Sequence, residues 1–206
     1  DRPRKPAMVG ERRIDFAELE ASTARVASAQ QAAGLQKGDR IAWLGKNAVL
    51  YFTLLFGAAR IGVVMAPVGW RLAGPERQYI VHDTESKLLF AGDGFADEAR
   101  AMAPQLPLVQ RIFSADEAWA WIDGAARADF TPSGPEDAIL QLYTSGTTGH
   151  PKGVELCNRN LFGLRRAAQQ AGLPWAAWDD DEVVMVAMPC AHIGGTGLGF
   201  MALAGG

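Results

Sequence analysis

The sequence has little cysteine, little lysine and little net charge. Two cysteines, Cys157 and Cys190, are too few for a disulfide scaffold, and no Cys/His spacing typical of a metal site surrounds them. Basic residues number 20 and acidic residues 23, so the formal net charge is -3 and no electrostatic footprint for nucleic acid or an anionic membrane is present. These absences predict a small-molecule partner and a reducing, cytoplasmic location.

The sequence also lacks an uninterrupted hydrophobic run long enough for a clear membrane span. Its most apolar region, residues 48–70, is interrupted by Arg60, Gly62 and Pro67. We therefore predict a buried helix over residues 48–61 followed by a buried strand over residues 63–67, and no transmembrane segment. The first residues, DRPRKPAMV, carry charge and proline without an apolar core and do not read as a signal peptide.

Hydrophobic residues make up 49% of the 206 residues, enough to bury the core of one domain or of a large piece of one. Periodicity and turn residues predict helices at residues 15–33, 48–61, 74–83, 96–103, 115–122 and 158–171, and strands at 40–44, 63–67, 88–91, 139–143 and 183–188, with a weaker strand at 111–113. Most of these strands are unbroken apolar runs, which is typical of parallel strands covered on both faces. The predicted fold is α/β, a doubly wound, mostly parallel sheet with helices on both faces.

Two polar segments need no site to explain them. Residues 123–137 concentrate Gly, Pro, Ser and charge, which predicts a surface linker leading into the strand at 139–143. The run DDDE from Asp179 to Glu182 could be a metal site because four carboxylates follow one another. Consecutive side chains diverge, however, so we prefer a solvated turn and predict no metal site.

One loop combines residues that a phosphate would need. The segment LYTSGTTGHPKG, residues 142–153, follows a predicted strand, and ligands of open α/β sheets bind at the carboxyl ends of strands. Its glycines let backbone N–H groups approach an anion, its hydroxyls add donors, and Lys152, one of only five lysines, adds a positive charge. A flexible Ser/Gly surface loop is the alternative. The candidate phosphate-binding residues are Thr144, Ser145, Gly146, Thr147, Thr148, Gly149 and Lys152.

Two other nucleotide-binding patterns fit less well. A Walker-type loop counted from Gly146 would place Pro151 where its second glycine belongs, and the next helix starts only at about Asn158, whose side chain can cap it. A dinucleotide-type string, Gly197, Gly199 and Ala202, begins nine residues after the predicted strand end at Met188. Small residues that permit close helix packing are the preferred explanation for it.

The string YTSGTTGHPKG, residues 143–153, closely resembles the phosphate-loop signature of adenylate-forming enzymes, the family of acyl-CoA synthetases, luciferases and peptide-synthetase adenylation domains. Residues 14–47 and 55–90 resemble the opening blocks of the same family, and VVMVAMPCAHIGG, residues 183–195, resembles the segment whose histidine borders the acyl pocket. The resemblance spans nearly the whole chain and is strongest to fatty acyl-CoA or related carboxylate-CoA ligases.

The resemblance implies an ATP-dependent acyl-CoA ligase. Such enzymes activate a small carboxylic acid as its acyl adenylate and then transfer the acyl group to a thiol, usually that of coenzyme A. By position, the seven loop residues would hold the β- and γ-phosphates, with Lys152 also stabilising charge on the departing pyrophosphate. His192 would lie near the acyl carboxylate and the α-phosphate, and Mg²⁺ would enter with the nucleotide. A hydrogen-bonded histidine ending a strand is the alternative for His192.

The chain departs from the family in two residues and in length. Gly69 replaces a common asparagine, and Ala191 replaces an aromatic residue that often precedes the histidine. From Ala191 we expect a wider or differently gated acyl pocket. Family members run more than twice as far, so we expect residues 1–206 to be the first α/β subdomain, inactive without the rest of its polypeptide. A non-catalytic binding module is the alternative from another class, and a nicotinamide-dependent reductase is a third.

Overall fold

The structure, a computed structural model, describes residues 3–145, 150–173 and 182–205. The strands are β1 (Pro6–Val9), β2 (Arg13–Asp15), β3 (Arg40–Leu44), β4 (Val64–Val68), β5 (Leu88–Ala91), β6 (Arg111–Phe113), β7 (Ala138–Thr144) and β8 (Lys152–Cys157). The helices are α1 (Phe16–Ala32), α2 (Val49–Arg60), α3 (Gly74–Asp83), α4 (Ala96–Met102), α5 (Ala115–Asp123), α6 (Asn158–Gln170) and α7 (Ile193–Gly205). A 3₁₀ turn, Ala103–Gln105, follows α4.

The central sheet has six strands in the order β6-β5-β3-β4-β7-β8. Five of them run parallel, and β8 alone is antiparallel, to β7. In the middle of the sheet Ala42 is paired with both Ala66 and Leu89, so β3 has a neighbour on each side. The expected doubly wound, mostly parallel sheet is confirmed.

Both faces of the sheet are covered by helices. In β3, Ile41 and Trp43 belong to the apolar cluster that α1, α2 and α5 complete, whereas Ala42 and Leu44 belong to a second cluster with α3 and α4. All four side chains are buried. A strand with both faces buried needs an unbroken apolar sequence, which is why RIAWL could be recognised as a strand from the sequence.

Helix α2 is fixed at both its start and its side. The helix has no side-chain cap of its own, and the Glu11 carboxylate from the β1–β2 turn accepts hydrogen bonds from the backbone N–H groups of Val49 and Leu50 at 3.0 and 2.9 Å. A negative group at this end satisfies unpaired N–H groups and interacts favourably with the positive end of the helix dipole. At Gly57 the helix backbone lies against Val26 of α1, where a β-carbon would come within 2.4 Å of that side chain.

The predicted helices agree with the structure to within one residue at each end, and so do the strands at 40–44, 63–67, 88–91, 111–113 and 139–143. The strand predicted at residues 183–188 is wrong, because this segment pairs with no strand in the described ranges and Val183 is 94% exposed. The short strands β1 and β2 and the antiparallel β8 were not predicted. β2 and β8 mix polar and apolar residues, and β1 is a run of only four residues that is exposed at both ends, so each depends on its partner strand.

The start of α6 differs from the expected cap. Cys157 is the N-cap residue, and its backbone N–H donates to Asn160 Oδ1 at 2.9 Å. Asn158 is the first helical residue, and its side-chain amide instead donates to Ser133 Oγ and the Gly134 carbonyl oxygen, at 3.0 and 2.9 Å. The predicted cap is therefore wrong, and Asn158 ties the linker before β7 to this helix.

In the described part of the chain, α2 and β4 occupy the apolar region between residues 48 and 70, and no helix is both long and apolar enough to cross a membrane.

Candidate active site

The carboxyl ends of parallel strands meet at one edge of the sheet and define the candidate site. The chain leaves β3 for α2 on one face and leaves β4 for α3 on the other, which opens a crevice between these strand ends. Met65 of β4 is paired with Leu140 of β7. Gly69 and Thr144, each four residues further along, therefore lie at the same edge of neighbouring strands.

The candidate phosphate loop connects β7 to β8 at this edge. Thr144 lies directly opposite Lys152 in the register, a pairing that sets β-carbons about 4.5–5.5 Å apart. Thr144, Ser145 and Lys152 are all exposed, so hydroxyl and ammonium donors lie together at the loop end of the hairpin. The other predicted phosphate-binding residues lie outside the described residues: Gly146, Thr147, Thr148 and Gly149.

Lys152 differs from the other lysines in its surroundings. The other four each have a partner: Lys37 pairs with Asp137, Lys87 with Asp39, Lys46 lies over the Trp70 ring, and Lys5 has an interaction of its own. Among the described residues, nothing makes an ion pair or a hydrogen bond with the Lys152 ammonium group. An exposed ammonium beside hydroxyl donors fits an anionic ligand such as a phosphate.

Gly153, the last residue of the motif, serves the hairpin itself. A β-carbon there would lie 2.3 Å from Gln141 Nε2 and 3.2 Å from the Tyr143 ring. Gly153 has no positive φ angle, so its small size matters here and not an unusual backbone conformation. The sequence suggested that this glycine would let the backbone approach an anion, but the structure assigns it to packing against Gln141 and Tyr143.

The segment that carries His192 is attached to the same edge by one side chain. Asn47, just after β3, donates from Nδ2 to the carbonyl oxygens of Val186 and Met188 at 2.9 and 2.8 Å. Its Oδ1 accepts from the backbone N–H of Cys190 at 2.9 Å. His192 follows, exposed, and its carbonyl oxygen accepts from two N–H groups at the start of α7. His192 therefore precedes a helix and does not end a strand.

A buried hydroxyl network fixes the other side of this segment. The Thr196 hydroxyl donates to the Cys190 carbonyl oxygen at 2.7 Å, so its own oxygen accepts from Tyr51 Oη, also at 2.7 Å. Burial is the main cause that raises the pKa of Tyr51 well above its usual value, and the nearby Cys190 raises this pKa further. Burial also raises the pKa of the Cys190 thiol to about 12, so this thiol stays protonated at neutral pH. Cys190 thus helps to hold the segment before His192 in place and is not a nucleophile.

Replacing Asn47 with alanine should release the segment before His192. The change removes three hydrogen bonds that join residues more than 130 positions apart in the sequence. We expect amide hydrogen exchange of Cys190, whose N–H donates to Asn47 Oδ1, to become at least about tenfold faster, because each of the three bonds contributes about 0.5–1.5 kcal/mol. In a matched control, Asn160→Ala should change exchange only at the start of α6. Unchanged protection in Asn47→Ala would contradict the anchoring.

The two residues that depart from the family pattern lie side by side. A β-carbon added to Gly69 would come within 3.9 Å of Ala191 Cβ and within 3.2 Å of Leu72. The two small residues are thus neighbours, Ala191 immediately precedes His192, and the contact with Leu72 is already tight. A wider acyl pocket at this place stays a prediction.

The dinucleotide-type string does not form a nucleotide-binding turn. Gly197, Gly199 and Ala202 all lie within α7 and not in a loop after a strand. A β-carbon at Gly199 would meet the Phe52 ring at 2.3 Å, so this glycine allows α7 to pack closely on α2. Helix packing is therefore the correct explanation.

No group of three or more His, Cys, Asp or Glu residues that could hold a metal ion occurs within residues 3–145, 150–173 and 182–205. Three residues of the acidic run, 179–181, lie outside the described ranges.

Sequence reasoning missed several residues that build the site. Asn47, Tyr51 and Thr196 were not singled out, although Asn47 does lie after a predicted strand at the ligand-binding edge, which was a usable signal. The hydroxyl contact of Tyr51 and Thr196 bridges 145 positions of sequence, so no local pattern indicates it.

Similarity to known proteins agrees with this architecture. The family model of AMP-binding enzymes matches residues 1–206. The fatty acid–[acyl-carrier-protein] ligase ScoC of Streptomyces coeruleorubidus is 39% identical over 196 residues, which are 94% of this chain and 38% of that protein. The long-chain-fatty-acid–CoA ligase FadD13 of Mycobacterium tuberculosis is 33% identical over 188 residues, 88% of this chain and 36% of that protein.

Solved structures show the same relationship. The inhibitor-bound N-terminal domain of FACL13 from Mycobacterium tuberculosis superimposes with a TM-score of 0.79 at 30% identity, covering 95% of this chain and 49% of that one. ATP-bound MatB from Rhodopseudomonas palustris gives a TM-score of 0.81 at 29% identity, covering 96% and 40%.

The chain belongs to the AMP-binding enzyme family. It spans a little over a third of the length of the curated relatives described above, 38% and 36%.

Proposed function

We propose that this chain is the phosphate-binding part of an ATP-dependent ligase that joins a carboxylic acid of the fatty acid class to the thiol of coenzyme A. The observation that carries the proposal is the β7–β8 hairpin, where exposed Lys152 stands opposite Thr144 at the carboxyl edge of the sheet. The family match and the names of the two ligase relatives support the reaction class. The ATP-bound neighbour MatB supports ATP as the nucleotide.

In such a ligase the substrate carboxylate attacks the α-phosphate of ATP, pyrophosphate leaves, and a thiol then displaces AMP from the acyl adenylate. Lys152 binds the β- and γ-phosphates and neutralises charge that develops on pyrophosphate. Thr144 and Ser145 donate hydrogen bonds to the same phosphates, together with the remainder of the loop: Gly146, Thr147, Thr148 and Gly149. Mg²⁺ enters with the nucleotide, and we assign it no protein ligand.

His192 borders the acyl carboxylate and the α-phosphate in this proposal. Its exposed position just before α7, at the edge where Asn47 holds the preceding segment, supports that role. Ala191 lies just before it, with Gly69 as its neighbour, and in this proposal the carboxyl end of the acyl group binds beside these two small residues. The imidazole then orients the carboxylate for attack while the hairpin holds the leaving group.

The domain assignment is part of the same proposal. We take residues 1–206 as the first α/β subdomain of a longer polypeptide, whose other parts supply the rest of the nucleotide site. The partial coverage of both curated relatives supports this view. The 206 residues alone are then expected to bind ATP weakly or not at all.

ATP–pyrophosphate exchange by the complete polypeptide tests the proposal. We expect exchange that depends on an added fatty acid, followed by thioester formation when coenzyme A is supplied. The isolated 206 residues should give no exchange. Thioester formation with an acyl carrier protein in place of coenzyme A would correct the acceptor, and exchange that is absent with every carboxylic acid would contradict the function.

A further inference from the structure

Helix α3 contacts both ends of the phosphate-loop hairpin through its last turns. Tyr143, the residue before Thr144, donates from Oη to Asp83 Oδ2 at 2.6 Å. On the other side of the loop, the His150 ring stacks on Tyr79 with ring centroids 5.2 Å apart and an angle of 28° between the planes. Tyr79 and Asp83 are four residues apart in α3, so both lie on one face of the helix.

The contact between Tyr143 and Asp83 has the geometry of a strong hydrogen bond. Its short O···O distance is typical of a hydroxyl donating to a carboxylate. Gln141 Nε2 donates to the same Tyr143 oxygen at 3.2 Å, so this hydroxyl both donates and accepts. Burial and the Asp83 carboxylate raise the pKa of Tyr143, which keeps the phenol protonated and able to donate.

The contacts of Tyr79 are of a different kind. Its hydroxyl lies 3.4 Å from both Asp83 Oδ1 and the Pro151 carbonyl oxygen, which is long for a hydrogen bond. Ring stacking on His150 is therefore its main contribution. Pro151 and His150 come immediately before Lys152, so this face of α3 touches the chain on both sides of the loop.

These contacts are not needed to hold α3 on the sheet. Ile80 and Val81 of the same helix are each only 1% exposed and pack in the apolar cluster on that face. Asp83 by contrast is exposed, and Tyr79 is half-buried. On the hairpin side, Gly153 lies opposite Tyr143 and leaves space for the Gln141 and Tyr143 side chains.

We propose that Asp83 and Tyr79 are positioning residues that fix the two ends of the phosphate loop, and with them Thr144 and Lys152, relative to the sheet. The inference rests on the proposed function, since it assumes that this loop binds the phosphates of ATP. Neither side chain contacts the nucleotide. Both act through their neighbours in the hairpin, Asp83 through Tyr143 and Tyr79 through His150 and Pro151.

ATP–pyrophosphate exchange in the complete polypeptide, measured at varied ATP and at varied fatty acid, tests this positioning. Asp83→Ala and Tyr143→Phe should each lower kcat/KM for ATP at least about tenfold, because each removes a hydrogen bond that involves a charged group. The double variant should be no worse than the poorer single one, since both changes remove the same bond. The KM for the fatty acid should stay within about twofold of wild type.

Three further variants separate positioning from a general structural role. Asp83→Asn keeps an oxygen that accepts from Tyr143 and should recover most of the activity lost in Asp83→Ala. Tyr79→Phe keeps the stacked ring and should stay near wild type, whereas Tyr79→Ala should resemble Asp83→Ala. Asp97→Ala, which removes an exposed carboxylate from the neighbouring helix α4, is the matched control and should leave the kinetics unchanged.

The outcomes are distinct. Wild-type ATP kinetics in both Tyr143→Phe and Asp83→Ala would overturn the positioning role while leaving the proposed function intact. Equal losses toward ATP and fatty acid, in step with a lower melting temperature, would also overturn it. If Asp83→Ala does not fold, Tyr143→Phe decides, because it keeps the ring and removes one hydroxyl. A wild-type polypeptide without exchange would overturn the proposed function and this inference together.

Discussion

Replacing Lys152 with alanine is expected to lower kcat/KM for ATP in the complete ligase by about tenfold to a hundredfold. The side chain is exposed at the end of the hairpin and has no ion partner among the described residues, so its charge is available for phosphate. A hydrogen bond to a charged group contributes about 1.5–3 kcal/mol, and each 1.4 kcal/mol is a factor of about ten. ATP–pyrophosphate exchange measures the loss directly.

Another lysine provides the control for this change. Lys37 pairs with Asp137 and precedes β3, at the opposite end of the sheet from the site. Lys37→Ala should therefore leave the exchange rate nearly unchanged, since this lysine lies away from the phosphate loop. Lys152→Arg keeps the charge and should recover part of the activity, limited by the different shape of the guanidinium group. Equal activity in Lys152→Ala and wild type would exclude the phosphate role.

Replacing Gly57 with alanine is expected to destabilise the fold by about 1–3 kcal/mol. The new β-carbon would lie 2.4 Å from Val26 Cβ and 2.9 Å from the Thr23 carbonyl oxygen, so α1 and α2 would have to move apart. Alanine favours a helix over glycine by about 1 kcal/mol, which is too little to offset that overlap. Thermal unfolding followed by circular dichroism should show a melting temperature lower by about 2–4 °C per kcal/mol.

Gly163 in α6 provides a matched control with the opposite sign. A β-carbon there would meet only Arg159 Cγ, at the ordinary contact distance of 3.8 Å. Gly163→Ala should therefore raise the stability by up to about 1 kcal/mol through helix propensity alone. If both substitutions changed the melting temperature in the same direction, the close packing of α1 on α2 would not be the cause.

The sequence predicted the central strands because burial determines their composition. In β3, β4 and β5 almost every residue is buried on one face or the other, so each is a short apolar run that needs no knowledge of its partner. β8 is different, because Lys152, Gly153, Val154 and Glu155 are exposed and only its pairing with β7 makes it a strand. Such a strand has no signature of its own.

The strand wrongly predicted at residues 183–188 is the opposite case, because the segment is apolar but no described strand pairs with it. The run VVMVAM is apolar enough to suggest a buried strand, yet Val183 and Met185 are 94% and 81% exposed and no described strand pairs with it. Hydrophobicity indicates that a segment prefers burial, but pairing requires a neighbour with unpaired backbone groups. Asn47 instead supplies two side-chain hydrogen bonds to this segment, at Val186 and Met188, and a third to Cys190 just after it.

The candidate phosphate-binding residues could be predicted from the sequence, but the residues that hold them in place could not. Thr144 and Lys152 stand out because one short loop contains hydroxyls, glycines and a rare lysine. The residues that hold the site in place form bonds across long sequence separations: Tyr143 with Asp83 across 60 positions, and Asn47 with Cys190 across 143. These contacts follow from the order of strands in the sheet, which local patterns do not determine.

The most direct measurement is a crystal structure of the complete polypeptide with a non-hydrolysable ATP analogue. We predict that the turn between β7 and β8 surrounds the β- and γ-phosphates, with Lys152 Nζ within about 3 Å of a phosphate oxygen. A bound triphosphate whose phosphorus atoms lie away from that turn, with Lys152 directed to solvent, would contradict the assignment.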